Sequence, residues 1–265
     1  MTVRAWATSF VLCALALTMT VVASAAPARA ATVEDAPAIS WTACGDRLEC
    51  AQVSVPLDWT KPDAKKIALS VIRHLASNPE ERIGSAFINP GGPGESGVET
   101  VRDSGDQLDA WGGGRFDLVG WDPRGTNASA PVTCFTSKAS EAKFWHGMEI
   151  PTTPAASRAF ARKLTSLSGR CERLSGELMS HISTADTARD LDALRQGVGD
   201  EKLTYIGISY GTMLGRVYAH LFPTHVRAML LDSVVDAQEY YESAEARTAY
   251  EGAGADAVFE QFLAL

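Results

Sequence analysis

Several patterns that would assign a function at once are missing from this sequence. The five cysteines and five histidines include no C-x-x-C or H-x-x-x-H spacing, so nothing supports a zinc site. No Gly-Lys-Ser/Thr follows a glycine-rich loop, which disfavours a phosphate loop, and no other cofactor motif occurs. The 32 acidic residues outnumber the 24 basic ones, which disfavours nucleic acid as a partner. We therefore expect no metal, no cofactor and no nucleic-acid ligand.

Long apolar runs are also missing from the body of the chain, and the one exception lies at the N-terminus. Arg4 precedes an uncharged, apolar stretch over about 10–26, followed by Ala28-Arg29-Ala30. A basic start, a short apolar core and a small-x-small site are typical of a signal peptide. We predict a signal peptide over 1–30, cleaved before Ala31, and a secreted or cell-envelope protein. A retained anchor is the alternative, but the core is short for a membrane span.

The cysteine count agrees with export. Cys13 falls within the predicted signal peptide, which leaves Cys44, Cys50, Cys134 and Cys171. An even number in an exported protein favours two disulfides, for which three connectivities are possible. We prefer Cys44 with Cys50 and Cys134 with Cys171, because each pair encloses a turn or a local excursion.

The hydrophobic pattern predicts an α/β fold. Strands are predicted over 51–57, 67–74, 85–89, 116–121, 203–206 and 228–232, and helices over 98–111, 183–198 and 210–222. The first two strands alternate apolar and polar residues and should be antiparallel. The later strands alternate with helices, which favours a doubly wound, mostly parallel sheet. The segment 137–179 has few strong apolar runs and is predicted to be a surface excursion.

A candidate nucleophile, Ser209, lies in Gly207-Ile208-Ser209-Tyr210-Gly211, between a predicted strand and a predicted helix. In that context G-x-S-x-G indicates a sharp turn that holds the serine hydroxyl out of the sheet edge. Glycines are needed on both sides, because a Cβ there would collide with the neighbouring strand or helix. A glycine-bracketed turn serine without chemistry is the alternative reading.

A candidate oxyanion loop, Asn89-Pro90-Gly91-Gly92-Pro93-Gly94, directly follows the third predicted strand. Acyl transfer requires two backbone N–H groups at the oxygen that becomes negative. One comes from the residue after the nucleophile, here Tyr210, and the other from the loop after the third strand. We therefore assign the oxyanion hole to Tyr210 and to Gly91 and Gly92.

These motifs, together with Phe116-Asp-Leu-Val-Gly-Trp-Asp-Pro-Arg-Gly125 and Val226-Arg-Ala-Met-Leu-Leu-Asp-Ser-Val-Val-Asp236, support a family resemblance. From about Trp41 onward the chain resembles the exported tripeptidyl aminopeptidases, close to the proline iminopeptidases, of the α/β-hydrolase superfamily. The resemblance implies release of short peptides or single residues from a free N-terminus. It also implies a helical cap after the sixth strand and an Asp–His pair further along.

The remaining titratable residues suit a catalytic role poorly. We expect Asp122 and Arg124 to organise a loop beside the serine through a local ion pair. His220 and His225 follow the serine in the chain order of a triad base, but they lie on or just past the helix that leaves it. The acid and the histidine of the triad are therefore expected beyond Leu265.

The predicted organisation is a signal peptide at 1–30, the first part of a hydrolase core at 31–235 and the start of a cap at 236–265. The predicted function is a secreted serine exopeptidase that cleaves peptides through an acyl-enzyme on Ser209. A secreted carboxylesterase acting on small esters, or a catalytically inactive fragment, are the alternatives.

Overall fold

A computed structural model describes residues 39–149, 151–236 and 238 of the protein. The predicted signal peptide and nearly all of the predicted cap lie outside these residues. The described part of the chain forms one sheet of seven strands in the order β1-β2-β3-β5-β4-β6-β7. The strands are β1 (Thr42–Gly45), β2 (Leu48–Pro56), β3 (Lys66–His74), β4 (Gly84–Asn89), β5 (Phe116–Trp121), β6 (Leu203–Ile208) and β7 (Val226–Asp232).

The direction of the strands changes across the sheet. β1, β2, β3 and β5 pair antiparallel in succession, whereas β5, β4, β6 and β7 are parallel neighbours. The predicted antiparallel pair of the first half and the parallel α/β half are thus confirmed. The four-residue strand β1 was not predicted, because it is a mostly exposed edge strand with no apolar alternation to reveal it.

Helices cover both faces of the sheet. They are α1 (Gly97–Trp111), α2 (Lys138–Trp145), α3 (Pro154–Met179), α4 (Thr184–Gly197) and α5 (Tyr210–Leu221). On one face, α1 buries Val101 and Leu108 against β3, β4 and β5. On the other face, α4 and α5 bury a larger core that includes Leu191, Leu194 and Tyr218. These buried apolar side chains supply the main favourable term for folding.

The caps of these helices follow from the sequence. Ser183 Oγ accepts a hydrogen bond from the Asp186 N–H, as expected of an N-cap serine. Pro223 lies just past the end of α5, where a proline cannot continue the helical hydrogen bonding.

Helices α2 and α3 form the predicted surface excursion. α2 buries no residue and α3 buries only Cys171. The Cys134–Cys171 disulfide closes the excursion, and the second disulfide joins Cys44 to Cys50 in the β1–β2 region. The pairing in the structure is the one that the sequence favoured. Within the described residues, no helix combines the length and apolarity that crossing a membrane requires.

Candidate active site

The site is built where two neighbouring strands end. β4 and β6 are parallel, and Asn89 at the end of β4 is in register with Gly207 near the end of β6. Their carboxyl ends therefore meet at one edge of the sheet, which is where open α/β sheets bind ligands. The 89–94 loop and the turn that carries Ser209 leave from this edge side by side.

Ser209 has an unusual backbone conformation. Its φ is 53° and its ψ is −121°, between the last residue of β6 and the first residue of α5. A non-glycine residue held at such angles costs roughly 1–3 kcal/mol, which the surrounding packing must offset. The Ser209 N–H donates to the carbonyl of Asp232, and its own carbonyl accepts from the hydroxyl of Thr212. The turn has the geometry of a nucleophile elbow.

Close packing explains the two glycines that bracket the serine. A Cβ on Gly211 would lie 2.5 Å from the backbone oxygen of Asn89, and a Cβ on Gly207 would lie 2.5 Å from the oxygen of Gly211. Real Cβ atoms do not approach backbone oxygens so closely, so any side chain would push the elbow away from β4. The hydroxyl of the fully buried Tyr205 donates to the Gly211 carbonyl at 2.8 Å and fixes the start of α5.

The 89–94 loop lies directly against the serine. Gly91 is buried at φ +106°, and a Cβ there would lie 2.6 Å from the oxygen of Ile208 and 3.1 Å from the Cβ of Ser209. The N–H of Gly91 donates to the side-chain oxygen of Asn89 at 3.1 Å. Gly92, in contrast, is exposed. Gly91 therefore adjoins the serine and lines the cavity beside it, whereas Gly92 packs against Gly94 and Glu95 of its own loop.

The part of the chain that the structure describes places no base at the Ser209 hydroxyl. Among the described residues, no hydrogen bond to the Ser209 hydroxyl is found. His225 lies past the far end of α5, a helix of 12 residues that separates the two by about 18 Å along its axis. There its Nδ1 lies 2.9 Å from Asp192 Oδ1, and its ring stacks on Phe222.

The expected ion pair between Asp122 and Arg124 is wrong. Asp122 instead accepts hydrogen bonds from the hydroxyl of Ser96 and the N–H of Ala128. Arg124 is fully buried and reaches Asp190 on α4 with two hydrogen bonds of 2.5 and 2.7 Å. Both residues organise loops beside the elbow, as expected, but their partners differ. Nothing in the sequence signals a partner 66 residues away.

Arg124 and Asp190 form a buried, bidentate ion pair. The other guanidinium N–H groups donate to the carbonyls of Pro56, Leu57 and His181, so all five donors are used. Burial raises the pKa of Asp190 to about 6, against the hydrogen bonds and the charge of Arg124, which lower it. The indole N–H of Trp59 also donates to Asp190. This network joins the β2 end, the loop after β5 and α4 next to the site.

A cavity of about 280 Å³ opens beside the elbow, and we call it the elbow cavity. Its wall is formed by the 89–94 loop, by the loop after β5, by the start of α4 and by Tyr210 and Leu214 of α5. The sequence did not reveal it, because its residues come from four separate segments. Within the described residues, no cluster of His, Cys, Asp and Glu side chains could hold a metal ion.

Comparison with known proteins identifies the family. Residues 87–251 match the family described as the alpha/beta hydrolase fold. The chain belongs to the α/β hydrolases. This family uses the strand–elbow–helix arrangement found here at Ser209, with a second oxyanion donor from the loop after the third strand of its core.

Curated α/β hydrolase relatives carry several names. The chain is 38% identical over 222 residues to a protein named serine protease Hip1 from Mycobacterium tuberculosis, covering 80% of this chain and 42% of that protein. It is 37% identical over 243 residues to a tripeptidyl aminopeptidase from Streptomyces lividans, covering 87% and 44%. It is 32% identical over 212 residues to carboxylesterase B of Mycobacterium tuberculosis, covering 76% and 40%. The chain thus spans less than half the length of these relatives.

Proposed function

We propose that this chain supplies the nucleophile and the oxyanion hole of a serine exopeptidase that releases short peptides or single residues from a free N-terminus. Ser209 attacks the scissile carbonyl, and the carbonyl oxygen accepts hydrogen bonds from the N–H of Tyr210 and from the backbone of the Gly91–Gly92 loop. The single observation that carries the proposal is the backbone of Ser209, held at φ 53° against Gly91. The named serine protease and tripeptidyl aminopeptidase relatives support the peptide substrate.

The activation of the serine is part of the proposal. A serine hydroxyl is a weak nucleophile until a base takes its proton. We propose that this base and its carboxylate partner belong to a segment that corresponds to the part of the relatives not covered by this chain. Without a base, the elbow and the oxyanion hole alone retain a small part of the catalytic effect.

Export from the cytoplasm is also proposed. Two disulfides, Cys44–Cys50 and Cys134–Cys171, are typical of proteins that fold in an oxidising compartment. The sequence pattern over 1–30 supplies the matching signal for secretion.

A carboxylesterase is the second candidate, because carboxylesterase B is among the relatives. The two candidates share the elbow and differ in what must recognise the substrate. A peptidase of this kind needs a group that binds a free amine, whereas an esterase does not. The rates at which a tripeptide anilide, its N-acetylated form and a short-chain aryl ester are cleaved distinguish the two candidates.

The test of the nucleophile is prolonged treatment of the intact chain with a fluorophosphonate, followed by peptide mass spectrometry. The adduct is expected on Ser209, because the elbow and oxyanion donors favour a tetrahedral phosphoryl group there. Ser209→Ala should lose the adduct. Ser233→Ala is the matched control, since Ser233 also follows a strand with positive φ but lies outside the elbow.

The outcomes separate clearly. An adduct in the wild-type chain and in Ser233→Ala, but not in Ser209→Ala, supports the proposed nucleophile. A folded chain that gives no adduct on Ser209, or labels other serines equally, contradicts it.

A further inference from the structure

The elbow cavity has a wall in which almost every polar side chain is already engaged. All five guanidinium N–H groups of Arg124 donate hydrogen bonds to Asp190 and to three backbone carbonyls, as described above. The threonine hydroxyls are also used. Thr126 donates to the carbonyl of Pro123, Thr187 donates to the carbonyl of Ser183, and Thr184 shares a hydrogen bond with the hydroxyl of Tyr210. None of these groups is left to bind a charged ligand.

Asn89 is the exception. Its side chain lines the cavity, although the residue as a whole is only 2% exposed. Its Oδ1 accepts from the N–H of Gly91, whereas no hydrogen bond from its Nδ2 is found to any described residue. A buried amide that makes only part of its hydrogen bonds loses free energy, and a ligand acceptor would restore it. Among the described side chains of the wall, the Asn89 Nδ2 is therefore the hydrogen-bond donor available to a ligand.

The rest of the wall is apolar and small. Pro93, Pro123, Ile182 and Leu214 contribute carbon surface, and Ile182 lies at the exposed rim. A cavity of about 280 Å³ is at the lower end of the range for ligand pockets. It suits one small group rather than a peptide. An ionised group would lose its hydration there without gaining a counter-charge.

We propose that the elbow cavity binds a small, uncharged aliphatic group that carries a carbonyl oxygen, with Asn89 Nδ2 donating to that oxygen. Gly91 and Tyr210 line the cavity and also adjoin Ser209, so the occupant lies next to the reacting carbonyl. Given the proposed function, on which this step rests, the occupant belongs to the acyl side of the substrate, and the oxygen at Asn89 is a neighbouring carbonyl rather than the reacting one that the oxyanion hole accepts. Small neutral residues are then preferred there over charged ones.

The test uses the intact, isotope-labelled chain and two probes of the same shape, isobutyramide and isobutyrate. Nuclear magnetic resonance titration should shift the Asn89 side-chain amide and the methyl groups of Ile182 and Leu214 on addition of isobutyramide. So small a ligand is expected to bind with a Kd on the order of 1–10 mM. Isobutyrate should bind at least about tenfold more weakly, because its charge must be desolvated.

Two variants test the anchor and the space. Asn89→Asp keeps the acceptor for Gly91 but removes the Nδ2 donor, and should weaken isobutyramide about three- to tenfold. Ile182→Trp should close the cavity from its exposed rim and abolish the shifts. Ile83→Trp is the matched control, since Ile83 is similarly exposed but lies at the opposite end of β4.

Binding that is lost in Ile182→Trp, weakened in Asn89→Asp and unchanged in Ile83→Trp supports the pocket. The proposal is overturned if no isobutyramide binds at about 50 mM, if isobutyrate binds equally well, or if Ile182→Trp binds like the wild type. Probe binding does not require a reactive serine. A chain that binds isobutyramide but gives no fluorophosphonate adduct therefore retains the pocket and refutes only the proposed nucleophile.

Discussion

The backbone oxygen of Asn89 occupies the space that a side chain on Gly211 would need, with only 2.5 Å between that oxygen and a Cβ built on the glycine. This contact sets the distance between the 89–94 loop and the helix that begins after Ser209. Ser209 and this loop are therefore positioned by one backbone-to-backbone approach across β4 and β6. Any widening of that approach separates Ser209 from Gly91.

Gly211→Ala should destabilise the fold by about 1–3 kcal/mol or more, because the added methyl group meets a backbone oxygen that cannot turn aside. Urea unfolding followed by circular dichroism measures the change. Gly169→Ala in α3 is the control, since a Cβ there makes only an ordinary contact at 3.6 Å with Arg173. It should stabilise the helix slightly. Equal effects of both substitutions would contradict the packing account of the elbow.

Gly91→Ala should reduce fluorophosphonate labelling of Ser209 about a hundredfold or more, the loss expected when an oxyanion donor is misplaced. The residue has φ +106°, and its new methyl group would press on Ile208 and on Ser209 itself. Gly147→Ala is matched, because Gly147 also has positive φ but nothing lies within 4 Å of its Cβ position. Circular dichroism confirms folding of both variants. Unchanged labelling in Gly91→Ala would refute this role for the loop.

Arg124→Met and Asp190→Leu should each cost about 3–5 kcal/mol, because each leaves a buried charge without its partner. The double variant should be less destabilised than either single one, since it removes both charges together. A double-mutant cycle from urea unfolding measures the coupling. The half-exposed pair of Arg189 and Asp186 serves as reference, and Arg189→Ala should cost less than about 1 kcal/mol. Additive costs at Arg124 and Asp190 would show that the two charges do not depend on each other.

Asp192 should make stability depend on pH in the acid range. Burial raises the pKa of this carboxyl, but hydrogen bonds from Arg195, His225 and Tyr218 outweigh burial and hold its pKa below the ordinary value of 3.8. A lowered folded pKa means that the stabilisation is present above about pH 3.8 and is lost as the pH falls through the folded value.

Asp192→Asn should therefore remove part of the fall in the free energy of unfolding below about pH 4. Thermal melts of the wild type and the variant across the acid range measure this difference. The exposed Asp63 supplies the control, Asp63→Asn, which should leave the acid dependence close to that of the wild type. If Asp192→Asn and the wild type lose stability in parallel on acidification, the hydrogen bonds to Asp192 do not lower the pKa of its carboxyl group in the folded protein.

Cys134→Ser/Cys171→Ser should expose the α2–α3 excursion to trypsin while the sheet stays folded. The excursion buries almost nothing else, and closing a loop of 37 residues contributes roughly 4 kcal/mol in the chain-entropy model. Cleavage sites mapped by mass spectrometry should fall within 138–179. Cys44→Ser/Cys50→Ser, which opens a loop of six residues, should leave that segment as resistant as in the wild type. Cleavage spread evenly over the chain would show instead that the disulfide holds the whole fold.

Most of the core could be predicted from the sequence because its signals are local. Alternation over 67–74 and short apolar runs such as 116–121 correspond to β3 and β5 with bounds that agree to within a residue. The G-x-S-x-G pattern likewise lies between β6 and α5, where the strand and helix patterns place it. These features depend on neighbours in the chain, and periodicity reports them directly.

The features that were missed depend on distant residues. The partner of Arg124 is Asp190 on α4, a helix whose presence the sequence predicts but whose contacts it does not. The hydrogen bond from the Gly91 N–H to Asn89 involves a side chain whose orientation no sequence pattern specifies. The elbow cavity joins four segments, and the Asn89 Nδ2, a side-chain donor without a hydrogen bond to any described residue, becomes evident only when the other side-chain hydrogen bonds of the wall are assigned.

The Cys134–Cys171 disulfide holds the start of the excursion against the middle of α3, with 4.0 Å between the two Cα atoms. The segment between the two cysteines is therefore equivalent to a very short connection, whatever its length. Related proteins could exchange, lengthen or delete this appendage without moving β5, α4 or the elbow. Surface recognition could thus diversify independently of the chemistry at Ser209.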